Sequence, residues 1–466
     1  MEPNWTSVIP PLLAVVLAFV TREAMVSLIV ACLVGVFLLG QGPQGFPDLL
    51  TRALGNEDFI WVCSIEVAIG VLVAFLQRSG AVALFRESVS RRVHTQKQVG
   101  FLGWLLGLSI FFSDYFSPLF VGPVMRDLTD RFRISREKLA YICDSTSASV
   151  ITLIPFSTWA VYLSGLALTA TALEGREAAL GMFLRSVPFN LYGILTVLLV
   201  LLIVLKIVPD FGPMRTAEER AFKTGKVLRD GAIPMMGKEL TELESSPSTK
   251  SNILVNFAMP VVIIVAVNVT TFVVSGTANV LGSFLLACAF LGVAMWFQRV
   301  DSVRGLAQSA MSGIKGVMPA VMILALAYCI NHLSQELGTA RYVVSISEGW
   351  MSPLLVPAMA FVISAFISFA TGTSWGTYAI MVPIALPLAV QFSGGVMTPL
   401  SIATFAALAG GGVFGDHCSP LSDTTVLSSL GSACDHIDHT RTQLPYALTV
   451  GGIVVVAYLV IGLVVT

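Results

Sequence analysis

Long stretches of this chain contain almost nothing that water would solvate. Residues 12–20, 24–40, 191–208, 253–274 and 451–465 are dense in Leu, Val, Ile and Ala. Several approach the ~20 residues that a helix needs to cross a bilayer, and roughly eleven to thirteen such segments are expected in all. With 55% of the 466 residues hydrophobic and 12% charged, the chain carries more apolar surface than a soluble fold could bury. The expected fold is therefore an all-α polytopic membrane protein, with lipid as part of its solvent.

Charge narrows the partners. A formal net charge of −1 leaves no concentrated basic face for phosphate backbones, which excludes a nucleic-acid partner. The opening Met1-Glu2-Pro3-Asn4-Trp5 has no basic segment before the first apolar run, so that run is expected to be retained rather than cleaved. The seven cysteines lie mainly in apolar runs without redox or zinc-finger spacing and read as small packing residues. Zinc at Cys418 with the neighbouring histidines lacks the usual ligand pattern, and no cofactor is expected.

Positive charge collects at 78–97, 126–138, 206–250 and 299–315, whereas 41–57, 331–350 and 391–399 hold little of it. The positive-inside bias makes the first group cytoplasmic. Residues 99–125 then have both flanks on one side but are too short for two crossings, so a re-entrant hairpin is expected there. Its middle, Phe112-Ser113-Asp114-Tyr115-Phe116-Ser117-Pro118, is polar and helix-breaking, which is tolerated at depth only against protein or water. A similar interruption at Asp144-Ser145-Thr146-Ser147, and again at Pro155-Phe156-Ser157-Thr158-Trp159, predicts a broken transmembrane helix. The polar stretch 209–250 reads as a cytoplasmic linker between a first membrane half (1–208) and a second (251–466).

The second half repeats the first. Phe414-Gly415-Asp416-His417-Cys418-Ser419-Pro420-Leu421 matches Phe112 to Leu119 at Phe, Asp, Ser, Pro and Leu, and Arg136-x-x-Leu139-x-Tyr141 recurs as Arg441-x-x-Leu444-x-Tyr446. A second hairpin is accordingly expected over 400–430, opening on the external side with 431–443 outside. Inverted repeats whose broken elements meet near the midplane are the architecture of secondary transporters.

A carboxylate at the centre of a membrane helix costs on the order of 2.5–3.5 kcal/mol on insertion scales and marks a functional site. Asp114, Asp144, Asp416 and Asp423 all qualify as Na+ ligands. Hydroxyls flank them: Ser113 and Ser117 beside Asp114, Ser145 and Thr146 after Asp144, Ser419, Ser422, Thr424 and Thr425 around the second pair. These are the hard oxygen donors that Na+ or a proton relay would use. A third polar break, Thr371-Gly372-Thr373-Ser374-Trp375-Gly376-Thr377, adds Thr373, Ser374 and Trp375 and a backbone able to turn its carbonyls inward, although a plain turn between spans would read the same. His417 is positioned to tune proton affinity at Asp416. Glu66 is read either as another intramembrane acid or as one that reaches the interface, and Asp435-His436-Ile437-Asp438-His439 as a solvated loop.

The strings Gly415 to Thr425, Cys434 to His439 and Gly372 to Thr377, with Ile134 to Tyr141 leading into Asp144-Ser145-Thr146, closely resemble the NhaC-type sodium/proton antiporter family over residues 60–450. The resemblance implies a multi-pass carrier of the bacterial inner (cytoplasmic) membrane within the ion-transporter superfamily. Relatives there exchange Na+ for H+, while others carry malate and lactate or amino acids. One departure stands out: those antiporters often show paired acids before the hairpin tyrosine, and here the first is Ser113. The leading expectation is Na+/H+ antiport, with both ions competing for the four carboxylates. The alternative is Na+- or H+-coupled transport of a small organic anion or amino acid. A channel would need a continuous polar file and an enzyme a nucleophile with its base; neither pattern is present. A homodimer fits a mechanism in which a moving bundle works against a fixed scaffold.

Overall fold

The computed structural model describes residues 4–42, 44–90, 92–111, 114–155, 157–171, 175–241, 243, 252–275, 277–347 and 352–465. The regular elements among them are helices, apart from one isolated antiparallel bridge between Pro234 and Asp435. Helices satisfy their own backbone groups, as an apolar surround requires. Six are long and apolar enough to cross a bilayer; a pair bent by 46° (Glu177–Phe189 with Leu191–Val204) makes a further span, and four shorter apolar helices add to the bundle. The protein is a multi-pass, all-α membrane protein.

The first half comprises α1 (Ile9–Thr21), α2 (Ala24–Leu38), α3 (Gly45–Leu54), α4 (Glu57–Arg78), α5 (Ala81–Ser90), α6 (Gln96–Ser109), α7 (Phe116–Arg131), α8 (Arg136–Ser145), α9 (Ala148–Ile151), α10 (Thr158–Ala170), α11 (Gly175–Ser186) and α12 (Leu191–Val204). The connecting segment carries α13 (Gly212–Thr224) and α14 (Lys238–Thr241). The second half comprises α15 (Met259–Ser275), α16 (Val280–Phe297), α17 (Val303–Leu337), α18 (Thr339–Ser347), α19 (Val356–Thr371), α20 (Ser374–Phe392), α21 (Pro399–Cys418), α22 (Asp423–Ser432) and α23 (His436–Val465).

Helix α23 defines the two ends of the molecule. Its 30 residues span about 45 Å at ~1.5 Å per residue. Its first turn meets the linker, where Arg229 Nε donates to Asp438 (2.8 Å) and the Ile233 amide to Asp435 (2.8 Å). Its last residues pack with Val356, Ala389 and Leu400 at the far end. The Gln96 amide group donates to the Phe132 carbonyl (2.9 Å) and Arg133 to that of Phe222 on α13 (3.2 Å), so α6 and α7 form a hairpin whose mouth is at the linker end. α8 also starts at that end, its Glu137 held by Arg220 (2.9 Å). The chain then breaks around α9 and continues into α10. α11 and α12 return as the bent span, finishing where Lys206 reaches Gln96 (2.5 Å).

The second half has the opposite sense. α19 leaves the far end at Val356, turns at Gly372 and returns as α20 to Phe392. α21 leaves the far end at Pro399, with Thr398 forming a capping box, and stops at Cys418. Pro420 has no amide to continue the ladder, and Ser422 caps the restart by accepting from the Thr425 amide (3.5 Å). α22 then runs on to the linker end, where the Ser432 carbonyl accepts from Arg136 (3.0 Å). Each half is thus a re-entrant hairpin, a broken crossing and a final span, inverted between halves.

This arrangement corrects the second hairpin. Residues 400–430 form a broken crossing, and the second re-entrant hairpin is 356–392, with the third polar break at its tip. Residues 431–443 lie at the linker end beside Arg136 and Arg229, not on the face opposite to it. The Asp-x-x-Ser-Pro pattern marks an interrupted helix in both halves, and an interruption says nothing about whether the chain then turns back or goes on.

The connecting segment is packed rather than loose. Met235 and Gly237 donate their amides to the carbonyls of Cys434 (2.9 Å) and Gly316 (2.8 Å), and Met235, Met236 and Leu240 are buried. Residues 244–250 lie outside the described residues. α4 lies along α17, backbone against backbone at Gly70 and Gly313.

Candidate functional site

The hairpin tips and the helix breaks meet in the middle of the bundle because each exposes backbone and polar side chains that only one another's company, or water, can satisfy. Gly372, the turn of the second hairpin, has φ +73° and would place a Cβ 2.5 Å from the Leu421 carbonyl oxygen. Only glycine allows this tip to press on the break between α21 and α22.

Asp416, in the last turn of α21, accepts from Ser374 Oγ (2.7 Å) at the tip of the second hairpin and, at very short range, from Ser422 Oγ. Thr425 Oγ1 donates to its backbone carbonyl (3.1 Å), and Thr424 bonds Ser422 (3.0 Å). Asp423, the first residue of α22, accepts from its neighbour's amide, Thr424 N (2.8 Å), and from Tyr115 Oη (2.8 Å) at the tip of the first hairpin. Asp114 at that tip accepts from Trp159 Nε1 (2.8 Å) at the start of α10. Trp159 in turn stacks on Trp375, centroid to centroid 4.2 Å. Four interruptions, two from each half, therefore converge around the three carboxylates of Asp114, Asp416 and Asp423.

Asp144 occupies a separate site on the side of α23. Gln443 Nε2 donates to it (2.6 Å) and, at very short range, to the His417 carbonyl, while His439 Nε2 lies 3.7 Å away. His417 points away from Asp416: its ring bonds Ser145 Oγ (2.7 Å) and Tyr192 Oη (2.9 Å). Adjacent residues on a helix diverge by about 100°, so the neighbour in sequence is not the partner in space. Asp435, His436, Asp438 and His439 are buried rather than a solvated loop, with His436 on the Pro420 carbonyl (2.9 Å) and His439 on Ser429 (2.8 Å). The first turn of a long helix here lies inside the protein, and its acids face Arg229.

The remaining predicted donors are divided. Ser117 is buried with its hydroxyl unpartnered, and Thr373 and Trp375 line a cavity. Thr146 Oγ1 and Ser419 Oγ are taken up by backbone carbonyls (2.7 Å each, to Ile142 and Phe369) and hold helix ends together. Phe112, Ser113 and Phe156 lie outside the described residues. Sequence reasoning gave no role to Tyr115, Trp159 and Gln443. The first two adjoin the breaks that were recognised, whereas Gln443 has no local signal.

The cavity, about 770 Å³, has Asp114 and Asp423 among its walls, together with the tip residues 371–373 and 375–376, Asn56 before α4 and Glu57, Trp61 and Val62 on it, and α17 as far as Gln335. Trp61, Tyr115, Tyr162, Tyr328 and Trp375 give it aromatic walls, and no Lys, Arg or His lines it among the described residues. Likewise among them, no three His, Cys, Asp or Glu side chains converge on a metal-ion geometry. The cavity and the helix breaks beside it offer carboxylate, hydroxyl and backbone oxygens.

Residues 150–463 match the Na+/H+ antiporter family. An uncharacterized protein of Haemophilus influenzae is 32% identical over 98% of this chain and 90% of its own length. Shorter matches are to an arginine/ornithine antiporter of Halobacterium salinarum, 33% identical over 31% of this chain and 29% of the relative, and to a malate-2H(+)/Na(+)-lactate antiporter of Bacillus subtilis, 28% identical over 37% of this chain and 36% of the relative. Fold, converging breaks and matched length agree: the chain belongs to the Na+/H+ antiporter family.

Proposed function

We propose that this protein exchanges Na+ for H+ across a bacterial cytoplasmic membrane by alternating access. The observation that carries the reading is a cavity of about 770 Å³ with Asp114 and Asp423 in its wall beside Thr371, Thr373 and aromatic side chains and, among the described residues, no basic one. A carboxylate removed from water must be neutralised, and either Na+ or H+ does so. Competition of the two ions for Asp114, Asp423, Asp416 and Asp144 ties the release of one to the capture of the other. The inverted halves supply the movement: the α6–α7 and α19–α20 hairpins and the broken crossings α8–α10 and α21–α22 rock against α2, α4 and α17. A neutralised site crosses, whereas an empty, charged one does not.

That no basic side chain lines the cavity among the described residues disfavours an organic anion, since a substrate carboxylate would face Asp114 and Asp423. In proteoliposomes holding the purified protein, an imposed pH gradient is expected to drive uptake of radiolabelled Na+, and Asp416→Asn to abolish it. A pH gradient that moves no Na+ through wild-type protein would overturn the proposal.

A further inference from the structure

The cavity is larger and more aromatic than a bare ion requires. Its volume of about 770 Å³ falls within the ~300–1,000 Å³ typical of small-molecule sites, and Na+ with a shell of oxygens would fill a small part of it. Its two aspartates are each set among rings. Tyr115 holds Asp423 through its hydroxyl (2.8 Å) and meets Trp61 of α4 edge-on, centroids 5.5 Å apart. Trp159 holds Asp114 (2.8 Å) and packs on Trp375 (4.2 Å), which packs in turn on Tyr162 (4.6 Å). The Tyr162 hydroxyl donates to the Trp375 carbonyl (3.1 Å), which ties α10 to the second hairpin tip. Tyr328 of α17 adds a further ring to the wall, edge-on to Phe59 (5.4 Å). Because Asp114 and Tyr115 are consecutive, both acids adjoin the tip of the first hairpin. Asp114 also accepts from the Tyr115 amide (3.2 Å) and Asp423 from the Thr424 amide (2.8 Å), which makes two bonds apiece among the described residues. A carboxylate offers about four lone-pair sites, so each can still accept from a ligand. Glu57 adds a third acid to the lining, whereas Glu66, one turn on from Val62, is buried and not part of it.

We propose that this cavity binds an organic cation, with a nitrogen head that donates to Asp114 and Asp423 and a flat apolar body that lies against Trp61, Tyr328 and Trp375. An ion that merely passes through to a deeper site needs water along its path, and rings supply none. Five aromatic side chains around the cavity are therefore surplus to Na+ access. Ring faces do attract organic cations, because the cation sits over the negative face of the π-system, and a guanidinium, being weakly hydrated and planar, gives up its water for such a surface more readily than a compact charge does. Three acids with no basic side chain beside them among the described residues also concentrate positive charge in the cavity. A carboxylate on the cargo would meet those acids, so the cargo carries its positive charge alone. Bound at the first hairpin tip, it neutralises the same aspartates that Na+ does. This inference rests on the reading of cation/H+ exchange and adds to it a second class of cargo.

Calorimetric binding to the purified, detergent-solubilised protein tests it with four probes: benzylguanidinium, guanidinium as the head alone, 3-phenylpropionate as an anion with the same ring, and phenylalanine as a zwitterion. Benzylguanidinium is expected to bind more tightly than guanidinium and to be displaced by Na+, while the anion and the zwitterion do not bind. Guanidinium that binds as tightly, an anion or zwitterion that binds as well, or benzylguanidinium that fails to bind or ignores Na+ would each overturn the assignment. These comparisons use wild-type protein, so they decide the matter even where a variant does not fold. Trp61 is exposed, and Trp61→Ala is expected to weaken benzylguanidinium by about 2- to 30-fold, with Trp61→Phe restoring most of the affinity; unchanged affinity in Trp61→Ala would refute the aromatic wall. Flux into proteoliposomes separates this inference from the reading beneath it, since benzylguanidinium stays charged and does not leak through lipid as a free base. A pH gradient that drives both Na+ and benzylguanidinium supports the second cargo, one that drives Na+ alone refutes it, and one that drives neither refutes exchange itself. A gradient that drives benzylguanidinium alone supports the organic cargo and removes Na+ as the exchanged ion.

Discussion

The proposed ion site depends on two helices whose backbones touch. α7 carries the first hairpin tip and α22 begins at Asp423; they meet at Gly122 and Gly431. A Cβ on Gly431 would fall 2.3 Å from the Pro118 carbonyl oxygen and 3.1 Å from its carbon. Gly431→Ala must therefore push α22 off α7 by about an ångström, and overpacking of this kind costs about 1–3 kcal/mol. Close approach through small residues is how membrane helices bind one another, so little slack exists to absorb the displacement. The hydrogen bond between Tyr115 Oη and Asp423, now 2.8 Å, would open beyond bonding range. If the strain appears as lost docking, Na+ affinity falls by about 5- to 150-fold, at ~1.4 kcal/mol per decade. The assay is Na+ binding by calorimetry together with Na+ flux, each against a thermal melt. Gly452→Ala serves as the control, because nothing lies within 4 Å of a Cβ there. Wild-type affinity and melting temperature in Gly431→Ala would refute the argument that this contact positions the site.

Three further outcomes are expected. Gly372→Ala forces a left-handed residue and a Cβ 2.5 Å from the Leu421 oxygen; strain of about 1–3 kcal/mol should remove transport and lower the melting temperature, and full activity would contradict the close fit of tip and break. Single cysteines at Lys97 and Lys226 should react with an impermeant thiol reagent from one side of the membrane and a cysteine at Gly395 from the other; labelling of Gly395 and Lys226 from the same side would sink the broken-crossing topology. Leu240→Ala removes a completely buried side chain from the connecting segment and should cost about 2–5 kcal/mol, read as a lower melting temperature, whereas a loose spacer would show no change.

Much of this was legible in the residues. Apolar run length and charge clusters carried the polytopic fold, and acids stranded among hydroxyls marked the places where helices stop. What was illegible was direction. The eight residues from Phe112 and the eight from Phe414 share the same interruption chemistry, but α7 turns back beside α6 whereas α22 continues away from α21. Local sequence encodes a capped restart, such as Ser422 before Asp423, without encoding the tertiary surface that the restarted helix packs on. Side-chain azimuth was equally hidden: Asp416 and His417 are neighbours in the chain, yet one meets Ser374 and the other Ser145. Buried residues at the start of α23 read as polar loop because a run of Asp and His carries no mark of the Arg229 and Ser429 that satisfy it.

The corrected topology strengthens the case for exchange. Had 400–430 been a hairpin, Asp416 and Asp423 would both sit at one tip, and any motion of that tip would carry both together. In a broken crossing, Asp416 closes the half-helix that comes from the far end and Asp423 opens the one that leads to the linker end. Asp416 is clasped by Ser374 of the hairpin entering from the far end, and Asp423 by Tyr115 of the hairpin entering from the linker end. Each carboxylate is thus bonded to the re-entrant element that guards one side. An ion that neutralises this pair bears on both guards at once, which is the property that coupling two opposed fluxes through one site demands.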